Sequence, residues 1–268
     1  MNIEEFLAPI SPDNPCGENL EYDADFQIMN QASLGKAEQQ FGDTIIPAEP
    51  ADWNTVEKYA TSLLFRTKDL RVLLALTHAW TRRRGLAGYA DGLLLVQEAI
   101  ARYWEPLYPL LEEYGETDPF YRINALAELS DKSDLTVAVR NASLLRSNGD
   151  EISLRDAQAL LDGSKTECPD YPGGRPRLID ELACGDQPGT AAVIVINERL
   201  LAIRELLTGH LGESGVPEME QLQKTIGLVS GACQITDIST FQPSREESAV
   251  SEYEATPGAM PSTWADTN

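Results

Sequence analysis

Apolar side chains recur at helical spacing through residues 52–104, and this pattern constrains the fold more than any other feature of the sequence. Three stripes follow one another: Trp53, Val56, Ala60, Leu63 and Leu64, then Leu70, Leu73, Leu74, Thr77 and Trp80, then Tyr89, Leu93, Val96, Ile100 and Trp104. Residues three and four apart lie on one face of a helix. Because the connections are short, the pattern predicts a mainly α protein built on an antiparallel helical bundle, with the three tryptophans in its core.

The bundle is expected to span residues 52–163. Asp118-Pro119 starts a fourth helix whose buried face includes Phe120, Ile123 and Leu126. Asn148-Gly149 predicts the turn of a small β-hairpin near 144–152, because both residues readily take positive φ angles. Gly and Pro are frequent in residues 164–187, which we interpret as a loop.

Residues 1–51 form an acidic extended arm that packs on the bundle. Eight Pro and Gly residues interrupt it, and one short helix is expected at about 24–34. At the other end, residues 242–268 are rich in Pro, Ser, Thr, Glu and Ala and predict a disordered tail or linker.

A helical hairpin is predicted for residues 188–241. Apolar residues follow a three-and-four alternation on both of its helices, although each stripe covers fewer than three heptads. One interpretation is that the hairpin packs on its own domain. The other is self-association, giving a homodimer, through six residues of the two stripes: Ile196, Ile203, Leu207, Leu222, Ile226 and Val229.

Charge is strongly unbalanced. The chain carries 21 Lys and Arg against 43 Asp and Glu, a net charge of −22. Such a surface disfavours binding to nucleic acid and to anionic membranes, which requires clustered positive charge. Residues 1–52 contain eleven acidic side chains and one basic side chain, whereas residues 66–84 carry a net charge of +5.

This asymmetry predicts salt-sensitive docking of the arm on the basic helix, or on that of a second copy. The alternative is that both are solvated surfaces. The candidate protein-interaction residues are the charged side chains of the two regions: Asp13, Glu18, Glu21, Asp23, Asp25, Arg66, Arg71, Arg82, Arg83 and Arg84.

Targeting signals and membrane spans are not indicated by the sequence. The N-terminus has no basic region followed by an apolar one, and no stretch approaches the ~20 apolar residues of a membrane span. The four cysteines lie far apart, which suits reduced thiols better than disulfides or a zinc site. We expect a cytoplasmic protein with no direct membrane insertion.

Catalytic patterns are scarce, and the sequence predicts no catalytic, metal-binding or cofactor-binding residues. His78 and His210 are interpreted as structural or solvent-facing, and no GxSxG or HExxH motif is present. The Gly173–Arg177 segment lacks phosphate-loop spacing, and Pro176 removes a backbone donor. The chain is therefore expected not to be an enzyme. Two alternatives are a helical adaptor or chaperone that binds a partner helix, and a hydrolase using arm carboxylates such as Asp23, Asp25 and Asp43.

Several ordered segments resemble the ImpA N-terminal domain of the TssA proteins of bacterial type VI secretion systems. They are Leu7 to Asp23 (LAPISPDNPCGENLEYD), Gln40 to Asp43 (QFGD), Asp52-Trp53, Arg66 to Arg71 (RTKDLR), Gly85 to Leu93 (GLAGYADGL), Tyr103 to Pro109 (YWEPLYP), Arg122 to Leu126 (RINAL) and Ser153 to Asp156 (SLRD). No single segment is specific, but together they keep their order and extend over much of the chain.

The resemblance implies a non-enzymatic role in assembling the contractile apparatus. It implies contacts with baseplate, tube, sheath or membrane-complex proteins, either in priming assembly or in stabilising the far end of the sheath. In many family members a further C-terminal region builds a ring, whereas this sequence stops at Asn268 in linker-like composition. We therefore expect no ring from this chain alone. No catalytic residue is implied.

Overall fold

The computed structural model describes residues 2–234, and within them the prediction of a mainly α fold is confirmed. The helices are α1 Ile3–Leu7, α2 Ala24–Leu34, α3 Trp53–Leu63, α4 Leu70–Arg84, α5 Leu86–Tyr103, α6 Phe120–Leu126, α7 Asp134–Asn141, α8 Leu154–Asp162, α9 Gly174–Cys184, α10 Pro188–Leu211 and α11 Glu220–Cys233. The strands are β1 Gln39–Phe41, β2 Thr44–Ile46, β3 Glu112–Glu113, β4 Glu116–Thr117, β5 Ser143–Ser147 and β6 Asp150–Ser153. They form three separate two-stranded antiparallel sheets.

Side-chain caps fix where the bundle helices begin. The Asp52 carboxylate accepts a hydrogen bond from the Thr55 amide at the start of α3, and the Asp69 carboxylate accepts one from the Arg71 amide at the start of α4. These contacts satisfy amides that have no partner in the first turn. Gly85, with φ of 65°, separates α4 from α5 and lets the chain turn back at once.

Helix α4 is the centre of the bundle, between α3 and α5 and also in contact with α2, α6 and α7. Trp80 on α4 is fully buried. Helix α5 approaches α4 closely because Gly88 has no side chain: a Cβ atom there would lie 2.0 Å from the Trp80 carbonyl oxygen. Trp53 and Trp104 are only partly buried at the edge of the core, so the core prediction holds fully for Trp80 alone.

Helices α10 and α11 form the predicted hairpin, and α10 lies against α5. The Arg199 guanidinium donates to the Ala90 carbonyl of α5. All six proposed self-association residues are buried, with exposed fractions of 0%: Ile196, Ile203, Leu207, Leu222, Ile226 and Val229. The chain's own core accounts for this burial, so the folded monomer offers none of them to a second copy. Residues 235–241 of the predicted hairpin and the predicted tail 242–268 lie outside the described residues.

The β-hairpin predicted near 144–152 is present as β5 and β6. Asn148 and Gly149 have φ angles of 54° and 81°, as a two-residue turn requires. The hairpins β1–β2 and β3–β4 were not predicted.

Two local predictions are wrong. Residues 164–187 are not all loop, because α9 lies within them and buries Leu178, Ile179 and Leu182. Phe120 does not lie in the buried face of α6, since 62% of it is exposed. The residue buried there is Arg122, two positions later.

Candidate interaction surfaces

Two of the predicted basic residues contact the acidic arm. Arg66 Nη2 lies 2.6 Å from Asp23 Oδ2, and Arg66 Nη1 lies 3.5 Å from Asp25 Oδ2. Arg71 Nη1 lies 3.3 Å from Glu21 Oε1. The hydrogen bond from Arg66 lowers the pKa of the Asp23 carboxyl. This part of the arm and the start of α4 therefore form ion pairs within one chain.

The other three predicted basic residues lie away from the arm, at the C-terminal end of α4. Arg83 pairs with Glu57, and Arg84 Nη1 lies 2.9 Å from Asp91 Oδ2. The Arg82 guanidinium lies over the Trp53 ring, 5.7 Å from its centroid. Among residues 2–234, neither Asp13 nor Glu18 forms an ion pair with any of these arginines. The predicted charged surface is thus divided into two separate parts.

Apolar burial and backbone hydrogen bonds hold the arm on the bundle more firmly than charge does. Leu7 and Met29 are fully buried, and Phe26 is 1% exposed. The Lys68 amide donates to the Cys16 carbonyl over 2.8 Å, which joins the arm to the chain just before α4. Partly exposed ion pairs contribute roughly 0–1 kcal/mol each, whereas truncating a buried Phe costs about 3–5 kcal/mol. We therefore expect docking of the arm to be largely insensitive to salt.

Removing one apolar anchor should release the arm far more than removing an ion pair. We expect Phe26→Ala to raise amide hydrogen exchange across residues 2–35 by about tenfold or more, because its burial stabilises the docked arm. Arg66→Gln should change exchange by less than about threefold. Exchange is measured by mass spectrometry in 0.1 M and 1 M NaCl. Release of the wild-type arm at high salt would contradict this account.

The arm, the start of α4 and the end of α5 meet at a buried polar junction around Lys68. The Tyr108 amide donates to the Lys68 carbonyl over 3.2 Å, and the Tyr108 hydroxyl donates to the Gly17 carbonyl over 2.8 Å. Lys68 is 1% exposed, and its Nζ donates to the Leu64 carbonyl over 2.6 Å. Burial lowers the pKa of the Lys68 ammonium to about 8. These contacts join the arm, the residues just before α4 and the residues that follow α5.

Arg122 completes the junction from α6. Its Nε donates to the Pro109 carbonyl over 2.7 Å and its Nη1 to the Trp104 carbonyl over 2.8 Å, while Nη2 donates to the Leu107 carbonyl. These acceptors follow the end of α5, where helical donors run out. Arg122 is fully buried, and burial lowers the pKa of its guanidinium to about 10. One side chain therefore fixes the irregular chain that leaves α5.

Both histidines pack against tryptophan rings, His78 with tilted planes and His210 stacked. The ring centroids of His78 and Trp53 are 4.0 Å apart, and those of His210 and Trp104 are 4.2 Å apart with nearly parallel planes. Burial, followed by the nearby charge of Arg82, lowers the pKa of His78 to about 4. The two residues thus occupy structural positions at the edges of the bundle.

His78 should make the protein less stable as the pH falls below 6.5. The folded chain keeps this imidazole neutral down to about pH 4, whereas the unfolded chain binds a proton near pH 6.5, so the unfolded state gains protons first. We expect stability to fall between pH 6.5 and pH 5 by about 1 kcal/mol more in the wild type than in His78→Gln. Urea denaturation at the two pH values measures this difference. Leu201→Ser, which removes an exposed side chain without a titratable group, is the control and should keep the wild-type pH dependence. An unchanged pH dependence in His78→Gln would contradict the assignment.

The β1–β2 hairpin exposes apolar side chains to solvent. Phe41, Ile45 and Ile46 are 65%, 58% and 46% exposed, and Leu34 at the end of α2 is 83% exposed. The two strands pair only with each other within the described chain, so each has an unpaired edge. Exposed apolar clusters and unpaired strand edges are typical of protein-binding sites.

A concave cleft lies between α2, α4 and α6. This cleft has a volume of about 570 Å³. Leu74, Ala75 and His78 of α4 line it, together with amide side chains on its two sides, such as Gln27 of α2 and Asn124 of α6. An apolar floor between two helices is a geometry that accepts the apolar face of a third helix.

The arm carboxylates of the hydrolase hypothesis are not gathered into a catalytic group. Asp23 and Asp25 pair with Arg66, and the pKa of Asp23 is lowered rather than raised. Asp43 lies in the exposed turn between β1 and β2. A general acid of this type requires a raised pKa in a concave site. The geometry gives this hypothesis no support.

Residues 2–234 contain neither a metal-ligand cluster nor a membrane-spanning helix. No group of three or more His, Cys, Asp or Glu side chains in that range is arranged to hold a metal ion. Within the same residues, no helix has the combined length and apolar character needed to cross a lipid bilayer.

Comparison with known proteins identifies the region that contains the arm, the junction, the exposed hairpin and the cleft. Residues 7–131 match the family described as ImpA, N-terminal, type VI secretion system. The chain is also 46% identical over 129 residues to the type VI secretion system component TssA1 of Pseudomonas aeruginosa. Residues 7–131 are thus an ImpA N-terminal region, and the chain is similar there to a TssA protein of a type VI secretion system. The sequence-based resemblance is confirmed.

The TssA1 match covers 48% of this chain and 38% of that protein. The chain therefore spans well under half the length of this relative. A solved structure of the TssA N-terminal domain from Burkholderia cenocepacia, which includes the conserved ImpA_N region, has a TM-score of 0.61. It covers 87% of this chain and 92% of that chain at 22% identity, so it supports the fold alone.

Four of the eight segments of the resemblance lie at the buried junction of the ImpA N-terminal region. The arm segment around Cys16, the Lys68 segment, the Tyr108 segment and Arg122 all meet there. The QFGD segment differs, because it lies in the exposed hairpin. The sequence analysis predicted neither the role of Arg122 nor the β1–β2 hairpin. A run with Phe41 and Ile45 on either side of Gly42 was the available signal for the hairpin.

Proposed function

We propose that this TssA-like protein is a non-enzymatic assembly component of a bacterial type VI secretion system. In this proposal its ImpA N-terminal region contacts a baseplate, tube, sheath or membrane-complex protein during assembly of the contractile apparatus, and it does so in the cytoplasm. Support comes from the family match over residues 7–131 and from the named role of TssA1 as a component of that system.

The observation that carries the proposal is the exposed β1–β2 hairpin. Phe41 and Ile46 lie on one face of this hairpin and Ile45 on the other, and all three are exposed. Burying such groups against a partner gains about 25 cal/mol per Å² of apolar surface. Glu38, Asp43 and Glu49 flank them and are exposed, so the expected partner surface is an apolar cleft with a basic or neutral rim.

The test is direct binding of the full chain to purified tube, sheath, baseplate and membrane-complex proteins of the same secretion system. We expect at least one to bind, and the triple variant Phe41→Ser, Ile45→Ser, Ile46→Ser to weaken that binding by about 30-fold or more. The matched control is Leu201→Ser, which removes a side chain that is 54% exposed on α10. Equal affinities of the triple variant and the control would reject the hairpin as the contact surface.

A helical adaptor is the second candidate function, and the cleft between α2, α4 and α6 favours it. Its partner would be an amphipathic helix that places small apolar residues on Leu74 and Ala75. Ala75→Arg would then block binding of the partner while Leu201→Ser would not. Binding lost through the hairpin variant but kept in Ala75→Arg would favour the first proposal.

A further inference from the structure

An open groove lies where the C-terminal end of α4, the helix α7, the strand β5 and the first turn of α10 meet. Its volume is about 810 Å³. Leu86 and Leu144, each 2% exposed, line its floor, and Val137 lines one wall with 45% of its surface exposed. At the start of α10, Gly189 lines the groove and lies so close to β5 that a Cβ atom there would be 1.9 Å from the Leu144 carbonyl oxygen. Val137 and Ala87 supply exposed apolar surface at this groove.

The groove is basic although the chain is strongly acidic. Arg82, Arg83, Arg84 and Arg146 line it, and Glu151 is the one acidic residue among the described lining residues. Three of these arginines pair with carboxylates of the chain, but the pairs are solvent-accessible: the Arg146 side chain is 75% exposed and lies 3.3 Å from Glu151. Because exposed pairs are weak, an incoming carboxylate is able to share or replace them.

The described chain ends close to this groove. Helices α10 and α11 are antiparallel, and Gly227 of α11 lies beside Asn197 of α10. Six residues further along α11, Cys233 is therefore opposite about residue 191, roughly 5 Å along the axis from Pro188 at the start of α10. Pro188 itself lines the groove. Gln234, the last described residue, consequently lies at the end of the α10–α11 hairpin that borders the basic surface.

The sequence that follows has the complementary charge. Residues 235–268 contain six acidic side chains and one basic side chain, and four of the acids fall within 244–254: Glu246, Glu247, Glu252 and Glu254. Val250 and Tyr253 lie between or beside them. Glu246 is twelve residues beyond Gln234, and an extended chain of that length spans up to about 40 Å, which is long enough to reach the groove.

We propose that the basic groove binds the acidic segment 244–254 of the same chain. Its carboxylates contact the arginines, and Val250 and Tyr253 pack on the exposed side chains of Val137 and Ala87. The interaction is stabilised by opposite charges at the surface, so high salt weakens it. This inference rests on the charge and position of the groove and is independent of the proposed secretion partner.

Carbodiimide cross-linking of the full chain tests the proposal. Arg146→Lys keeps the charge and places a reactive amine at the groove, and Arg155→Lys is the control, because Arg155 is exposed on α8 and does not line the groove. We expect mass spectrometry to find a bond from position 146 to a glutamate of 244–254 at least fivefold more often than from position 155. We also expect 1 M NaCl to reduce it at least fivefold.

Mixing unlabelled and ¹⁵N-labelled chains separates docking within one chain from docking between copies. Cross-links confined to one isotope label support the proposal. Cross-links mainly between labels would overturn the assignment to the same chain. Equal yields at positions 146 and 155 would overturn the groove as the binding site. The quadruple variant Glu246→Gln, Glu247→Gln, Glu252→Gln, Glu254→Gln should raise hydrogen exchange in residues 137–146 at least threefold, and unchanged exchange would likewise contradict the proposal.

Discussion

Arg122→Met should lower the free energy of unfolding by about 3–5 kcal/mol, one of the largest effects expected for a single substitution in this chain. The variant leaves the carbonyls of Trp104, Leu107 and Pro109 without their donor in the buried junction. An unsatisfied buried carbonyl costs about 1–3 kcal/mol, and partial repacking around Met offsets only part of the sum. Urea denaturation at pH 7 measures the loss.

Arg122→Lys should recover little of that stability, because one ammonium lacks the planar fork that reaches three acceptors. The control is Arg155→Met, an exposed site on α8 where we expect a change within about 0.5 kcal/mol. If Arg122→Met were as stable as Arg155→Met, the junction would not depend on this guanidinium.

Gly88→Ala should destabilise the protein by about 3 kcal/mol or more, although Ala normally favours a helix over Gly by about 1 kcal/mol. The added Cβ would lie 2.0 Å from the Trp80 carbonyl oxygen, and both atoms belong to packed helices. The helices must therefore move apart, which opens the core around Trp80. Helix propensity alone predicts that Gly88→Ala stabilises the protein, so the expected change in stability has the opposite sign.

Gly227→Ala is the matched control in the middle of α11. The nearest atom to its added Cβ is Asn197 Oδ1 at 3.9 Å, an ordinary contact distance. Here we expect stabilisation by about 0.5–1 kcal/mol. Thermal and chemical denaturation of both variants measures the two changes in the free energy of unfolding. Stabilisation by Gly88→Ala would show that α4 and α5 are less closely packed than described.

The helices with regular apolar stripes could be predicted from the sequence, since periodicity reports which face is buried. Helices α3, α4, α5, α10 and α11 all follow this rule. Helix α9 was missed because the density of Gly and Pro around it is typical of loops. The structure places Gly173 and Gly174 at its start and Pro176 in its first turn, where Pro is compatible with a helix.

The burial of the charged side chain of Arg122 was the main feature that could not be predicted from the sequence. Arg122 lies on a short helix next to the exposed Phe120, so its position in the pattern indicates a surface side chain. Only the tertiary structure brings the backbone carbonyls of Trp104, Leu107 and Pro109 within hydrogen-bonding distance of its guanidinium. The charge asymmetry between the arm and α4 indicated the ion pairs of Arg66 and Arg71. It overstated how much charge contributes to holding the arm on the bundle. Phe26 and Met29, three residues apart on α2, were the stronger indication of docking.

Sheath assembly in living cells tests the central claim most directly. The gene is replaced at its chromosomal position, in a strain without a second gene of this family, by the variant Phe41→Ser, Ile45→Ser, Ile46→Ser or by the control Leu201→Ser. Fluorescent sheath structures are then counted at equal protein levels. Our account predicts at least tenfold fewer sheaths with the hairpin variant and wild-type numbers with the control. Normal sheath numbers in the hairpin variant would contradict it.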